Sequence, residues 1–119
     1  MTDNQTLVKT IIEGAQEKKG HNITYVDLTG IESAPTEGFV LVTGNTPIQV
    51  DAVADSIREY VEKTIGVRPF NYDGYQNSQW IVIDYGTVFA HVFLPDFRER
   101  YRLEELWADA VITNTPDVI

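Results

Sequence analysis

The 119-residue chain contains no cysteine, one methionine and only two histidines, His21 and His91. The missing cysteines exclude disulfides, thiolate nucleophiles and cysteine-ligated metals. Two imidazoles leave little room for a histidine-built metal centre. Positive charge is also scarce, with nine Lys and Arg against eighteen Asp and Glu, a formal net charge of −9. Such a balance repels phosphate backbones, so it speaks against nucleic-acid binding through the general surface, DNA included. It fits a basic protein partner, or mere solubility. No apolar run approaches the roughly 20 residues of a membrane-spanning helix. The opening MTDNQTLVKT lacks the basic start and long apolar stretch of a secretory signal, so a cytoplasmic protein is expected.

What is present suits one domain with one core. Leu7, Val8, Ile11, Ile12 and Ala15 recur at helical spacing, and Lys18-Lys19-Gly20 supplies cations and a glycine where that helix should end. A strand is expected over 23–28. Phe39 to Thr43 is a continuous apolar run that suits a central strand buried on both faces. Thr46 is placed to cap a helix, Pro47 suits its first turn and Gln49 sits where a capping box reaches back. That helix should run to about Thr64, ended by Gly66 and Pro69. A short strand over 68–72 precedes a turn-rich segment, 73–79. Trp80 to Asp84 and Val88 to Phe93, joined around Tyr85-Gly86-Thr87, read as an antiparallel hairpin. Pro95 starts a last helical region in which Phe97 and Tyr101 differ in phase from Leu103, Leu106, Trp107 and Ala110. The shift predicts a break near Arg102. The segment from Thr113 reads as a frayed tail.

The block from Trp80 to Ala110 sets Asp84, Tyr85 and His91 among apolar residues, where polar side chains are candidates for chemistry. His91 has no serine or cysteine nucleophile paired with it by motif, so a histidine satisfied by its neighbours competes with a proton-handling role. Asp84 is placed either to accept hydrogen bonds from turn amides or to face a cationic partner. No Asp-x-Asp pair is present to hold divalent ions for phosphoryl transfer. Gly44-Asn45-Thr46 reads as a helix cap or as a small anion-binding turn, without the pattern of a nucleotide loop. Among the aromatic residues Trp80, entering its strand from a polar loop, is the expected interface anchor. The alternating Glu and Arg residues from Arg98 to Glu105 read as a solvated helix face.

Asp84-Tyr85-Gly86, His91-Val92-Phe93 and Arg98-x-x-Tyr101-x-Leu103-Glu104-x-Leu106-Trp107 together resemble the signature of the ribosomal silencing factor family, also called Iojap. Upstream pieces agree in order: Val26-Asp27-Leu28, Phe39-Val40, Thr43-Gly44, Gln49-Val50, Ala54-Asp55 and Gly74. The resemblance covers about residues 7–110. The chain departs from the pattern at Gly38, at Pro47-Ile48 and at Thr87.

The resemblance implies an α/β (α+β) fold in a single domain over 1–112. It consists of a mixed five-stranded sheet flanked by helices, nucleotidyltransferase-like without the catalytic carboxylates, and is followed by a flexible tail over 113–119. It implies no enzyme and no cofactor. Instead it implies a translational repressor that binds ribosomal protein uL14 of the large subunit and sterically blocks the small subunit, with a homodimer as the free form. Carried over by motif, the expected uL14 contacts are Trp80, Asp84, Tyr85 and Gly86, with Asp73 beside them. Two competing readings are a nucleotidyltransferase-like enzyme using Asp84 and the Gly44 turn, and a small anion- or nucleotide-binding module at the Thr46 helix start.

Overall fold

Local signals place the first helix where periodicity expects it. In the computed structural model, which describes residues 3–117, α1 runs Asn4–Glu17. Asp3 caps it, accepting from the Thr6 amide at 2.7 Å. That amide holds the Asp3 carboxyl below its usual range. Lys19, not Gly20, takes the left-handed conformation after the helix (φ 58°). Gly20 is glycine for a different reason: a Cβ there would stand 2.5 Å from Val42 Cγ1.

The strands follow as β1 (His21–Asp27), β2 (Gly38–Thr43), β3 (Asn71–Asp73), β4 (Trp80–Asp84), β5 (Val88–Phe93) and β6 (Val111–Asn114), and their order in the sheet is β3-β4-β5-β2-β1-β6. Only the β2–β5 pair is parallel. As expected from its apolar run, β2 is central and buried along its whole length. The second long helix, α2, runs Pro47–Ile65. Thr46 accepts from the Gln49 amide at 3.1 Å, and Gln49 reaches back to the Asn45 amide at 2.8 Å. Gly66 closes the helix in the left-handed region, φ 69°.

Helices α1 and α2 lie side by side on one face of the sheet. Ser56 donates to the Gly14 carbonyl at 2.7 Å where the two approach. Their apolar stripes (Leu7, Ile11, Val50, Val53, Ile57, Val61) meet Ile23, Val40, Val42, Ile81, Ile83, Ala90 and Val92 in the main core. The opposite face carries Val26, Phe39, Leu41 and Phe93. It is covered in part by α3 (Pro95–Tyr101) and α4 (Leu103–Leu106), through Phe97, Leu103 and Trp107. The expected break falls at Arg102, whose φ of 43° ends one helix and starts the next.

Two expectations are corrected. The sheet has six strands rather than five. Val111–Asn114 pairs antiparallel with β1 from Asp27↔Val111 to Thr24↔Asn114, so the boundary expected at 112 falls inside a strand. The β-branched run Val111-Ile112-Thr113 suits a strand, and the free edge of β1 supplies its partner. The pairing continues past it: the Thr115 amide donates to the Ile23 carbonyl and Asp117 accepts from the Asn22 amide. Thr113, Asn114, Thr115 and Asp117 are thus tied to β1; the last two residues of the expected tail lie outside the described residues. The short strand expected over 68–72 is displaced to Asn71–Asp73, paired with Val82 to Asp84.

Gly74 connects β3 to the turn before β4 at φ 108°, and a Cβ there would stand 2.1 Å from the Trp80 carbonyl oxygen. Gly74→Ala is expected to destabilise the chain by about 2 kcal/mol in urea unfolding, because backbone rather than a movable side chain blocks the methyl group. Gly30→Ala, with open space around the new methyl, should stay within about 0.5 kcal/mol of the parent.

Candidate functional site

Alternation along β4 decides which of the expected contact residues share a surface. Ile81 and Ile83 point into the core under α1 and α2, so Trp80, Val82 and Asp84 point to the other face. Register extends that face across the neighbouring strands. Asn71 lies opposite Asp84, Asp73 opposite Val82, Phe89 opposite Asp84 and His91 opposite Val82. The short helices α3 and α4 cover the part of this face over β2 and β1. The part over β3 and β4 is left half open: Trp80, Val82, Asp84 and Phe89 are half-buried, and Asn71 and Asp73 are exposed. Trp80, Asp84 and Asp73 therefore belong to one surface strip with two carboxylates and an indole.

Asp84 also does local work. Its Oδ1 accepts from the Gly86 amide at 2.7 Å, closing a turn in which Gly86 sits at φ 85°. The turn-amide reading is therefore correct for one oxygen, while the half-exposed carboxylate remains on the strip. Gly86 itself is overlaid by Phe70, which a Cβ would meet at 2.8 Å, and its carbonyl accepts from Thr36 Oγ1 at 3.0 Å.

Tyr85 does not join the strip. It continues the inward alternation of Ile81 and Ile83, is 5 % exposed and packs in the main core. Burial pushes its phenol well above the usual range, and its hydroxyl has no hydrogen-bond partner. Its backbone is engaged as well, the amide donating to the Val88 carbonyl at 2.9 Å and the carbonyl accepting from the Thr87 amide at 3.1 Å. Asp73 is exposed and accepts from the Gly74 amide at 2.9 Å.

Trp80 is half-buried by design of its neighbours. Its ring lies 5.5 Å from Phe93, its cross-strand partner, and 4.8 Å from Tyr101 of α3. The indole N–H donates to His91 Nδ1 at 3.0 Å. His91 is 7 % exposed, so the satisfied-histidine reading describes one of its ring nitrogens; Nε2 is buried without a partner. Burial lowers its pKa to about 4, which keeps the ring neutral at pH 7.

Sequence reasoning missed Val82 and Phe89 as parts of this surface, although the alternation of β4 and β5 carried the signal for both. It also gave no signal for Phe70, which precedes β3 and is 82 % exposed beside the Gly86 turn.

The opposite edge of α2 carries a second polar cluster. Arg58 stacks over Tyr72 at 3.7 Å, and Tyr75 donates to Asp55 at 2.9 Å. Burial, first, pushes the Tyr75 phenol up to about 12. At the Gly44-Asn45-Thr46 turn, Gln49 occupies the Asn45 amide, Thr46 the Gln49 amide, and the Phe93 carbonyl that of Gly44. Three of the amides an anion could meet there, those of Gly44, Asn45 and Gln49, are thus already used. Among the described residues no three His, Asp or Glu side chains converge as metal ligands, and no helix is long and apolar enough to cross a membrane.

Comparison with known proteins adds a consistent picture. A profile of the family described as "ribosomal silencing factor during starvation" matches residues 1–118. A ribosomal silencing factor of Halalkalibacterium halodurans is 32 % identical over 116 residues, covering 98 % of this chain and 97 % of its own. One of Haemophilus influenzae is 35 % identical over 102 residues, covering 86 % and 98 %. Among solved structures, a Chromobacterium violaceum protein superposes with a TM-score of 0.84 at 30 % identity, covering 90 % of this chain and 88 % of that one. A Bacillus halodurans protein superposes with a TM-score of 0.76 at 29 % identity, covering 98 % and 99 %.

Proposed function

The chain belongs to the ribosomal silencing factor family, and from that premise we propose that it is a translational repressor. In this reading it binds uL14 on the large ribosomal subunit and excludes the small subunit, with a homodimer as the free form. It acts wherever ribosomes are, in the cytoplasm of a bacterial cell. It does so by occupancy: binding free energy becomes inhibition because the covered surface is needed for subunit joining, and no bond is made or broken. The observation that supports this reading best is the half-open strip on the sheet face. It presents Trp80 beside its aromatic neighbours, with Asp73 and Asp84 farther along the same face. A half-buried aromatic framed by carboxylates is the pattern of an interface anchor with an acidic rim. With a net charge of −9 on the chain, a basic protein partner is electrostatically favoured.

Trp80, Asp84 and Asp73 would contact the partner by side chain and the exposed Gly86 by its main-chain surface, while the buried Tyr85 would hold the turn in shape from the core side. An interface of about 800 Å² per partner would suffice.

Co-sedimentation with purified large subunits tests the proposal. The parent chain is expected to travel with large subunits and to reduce joined ribosomes. Trp80→Ala should weaken binding by about tenfold to thirtyfold, and Asp84→Asn by about threefold, with the Asp84 effect shrinking as salt is raised. Binding that is unchanged in both variants, with the fold intact by circular dichroism, sinks the assignment of this face.

A further inference from the structure

Trp80 has its one polar atom turned inward, away from the surface of the strip. An indole has one donor, and here it is spent on His91 of the adjacent strand at 3.0 Å. The two residues are diagonal neighbours on one sheet face: Trp80 pairs with Phe93 and His91 with Val82. The imidazole is itself held. It is 7 % exposed, its plane lies at 84° to the Phe39 ring with centroids 5.0 Å apart, and it lies 6.2 Å from Phe93. A nitrogen that accepts the indole proton carries none, so the neutral ring keeps its proton on Nε2, which is buried and unpartnered. A buried polar group left half satisfied is a standing cost that an apolar residue would avoid. The contact with Trp80 is the one polar service the ring performs.

We propose that His91 is a positioning residue for partner binding: its Nδ1 fixes the rotamer of Trp80, so that the indole meets the ribosomal partner already oriented. The inference rests on the reading of Trp80 as an interface anchor. Without the acceptor, the ring would have to be ordered on binding, and each side chain immobilised at an interface reduces affinity. Burial lowers the pKa of His91 to about 4, so the acceptor is present at neutral pH, where binding is measured.

Two substitutions separate positioning from packing. His91→Leu keeps volume and removes the acceptor. His91→Asn keeps an oxygen at the position of Nδ1 but leaves a smaller side chain, so it should be the less stable of the two. The indole proton of Trp80, assigned in 1H–15N spectra with the help of Trp107→Phe, is expected to move upfield in His91→Leu and to stay close to its parent position in His91→Asn. In co-sedimentation with large subunits, His91→Leu should bind about tenfold more weakly, and His91→Asn within about threefold of the parent. Combined with Trp80→Ala, His91→Leu should add no further loss, since both remove the same oriented ring.

The inference is overturned if the two variants lose affinity in the order of their stability rather than of their acceptors, or if the losses from His91→Leu and Trp80→Ala add. A parent chain that does not sediment with large subunits removes the underlying reading of function. The indole shift in the two variants then decides by itself whether His91 holds Trp80, and an unmoved resonance in His91→Leu rejects it.

Discussion

Replacing Arg98 with alanine is expected to lower the unfolding free energy by about 3 kcal/mol, although its position in a run of alternating Glu and Arg reads as solvent-facing. The guanidinium is 12 % exposed by side chain and spans three elements. One arm donates to Thr43 Oγ1 at 2.9 Å and to the Asn22 carbonyl; the other donates to Thr24 Oγ1 at 2.9 Å and to Glu104 at 3.0 Å. It thereby clasps α3 and α4 to β1 and β2. These helices have seven and four residues, too short to hold together by themselves. What else holds them is the contact of Phe97, Leu103 and Trp107 with Leu41 and Phe93.

Removing the fork leaves a half-buried Glu104 and three acceptors that must recruit water. A lost hydrogen bond to a charged group is worth about 1.5–3 kcal/mol, and partial rehydration of Glu104 limits the sum. Arg98→Lys should recover less than half of the loss, since one ammonium cannot reach acceptors on both strands and Glu104 together. Arg100→Ala, at an exposed position, should change stability by no more than about 0.5 kcal/mol. Urea unfolding followed by the two tryptophans measures all three. A loss below about 1 kcal/mol for Arg98→Ala would show that the aromatic contacts alone dock the helices. Because Tyr101 of α3 lies 4.8 Å from Trp80, weaker docking should also loosen the proposed anchor.

Arg98 marks where sequence reasoning stops. Its neighbours in the chain are charged, so local pattern assigns it to water. Its partners, Asn22, Thr24 and Thr43, come to it from more than fifty positions away. Strand β6 was missed for a related reason: its β-branched run is only four residues long and runs into a segment read as a frayed tail, and what orders it is the unpaired edge of β1. Features written locally were read well. Thr46, Pro47, Gln49 and Gly66 mark both ends of α2, and the phase shift between Tyr101 and Leu103 marks the break at Arg102.

Tyr85 is an intermediate case. Its motif neighbours suggested a contact residue, yet simple alternation after Ile81 and Ile83 already pointed it inward. At the site, sequence pattern singled out Trp80, Asp84 and Asp73, but only the register of β3, β4 and β5 shows that they share one face.

Acidification is expected to expose the cost of His91. Its pKa is lowered by burial from 6.5 to about 4, with no charged neighbour contributing. A depressed value means that the fold favours the neutral ring. Between pH 6.5 and about 4 the unfolded chain binds a proton that the folded one refuses. Stability therefore falls as pH falls through that window, is fully present above it, and loses nothing more from this residue below it. At about 1.4 kcal/mol per pH unit, the contribution lost between pH 7 and pH 4.5 is about 2.5 kcal/mol, rising toward about 3 kcal/mol near pH 4.

The chain's eighteen Asp and Glu residues also respond to acid, Asp3 among them, so the parent curve alone does not isolate the effect. The difference between parent and His91→Leu does, because the carboxylates are common to both. Urea unfolding of the two chains at intervals from pH 7 to 4.5 should show the parent losing about 2.5 kcal/mol more than the variant, with the gap opening below pH 6.5. Parallel curves would mean that the imidazole is protonated in place, and that Trp80 loses its acceptor before the domain unfolds. A diverging pair would instead mean that the acceptor lasts as long as the fold, leaving the orientation of Trp80 insensitive to pH wherever the chain is folded.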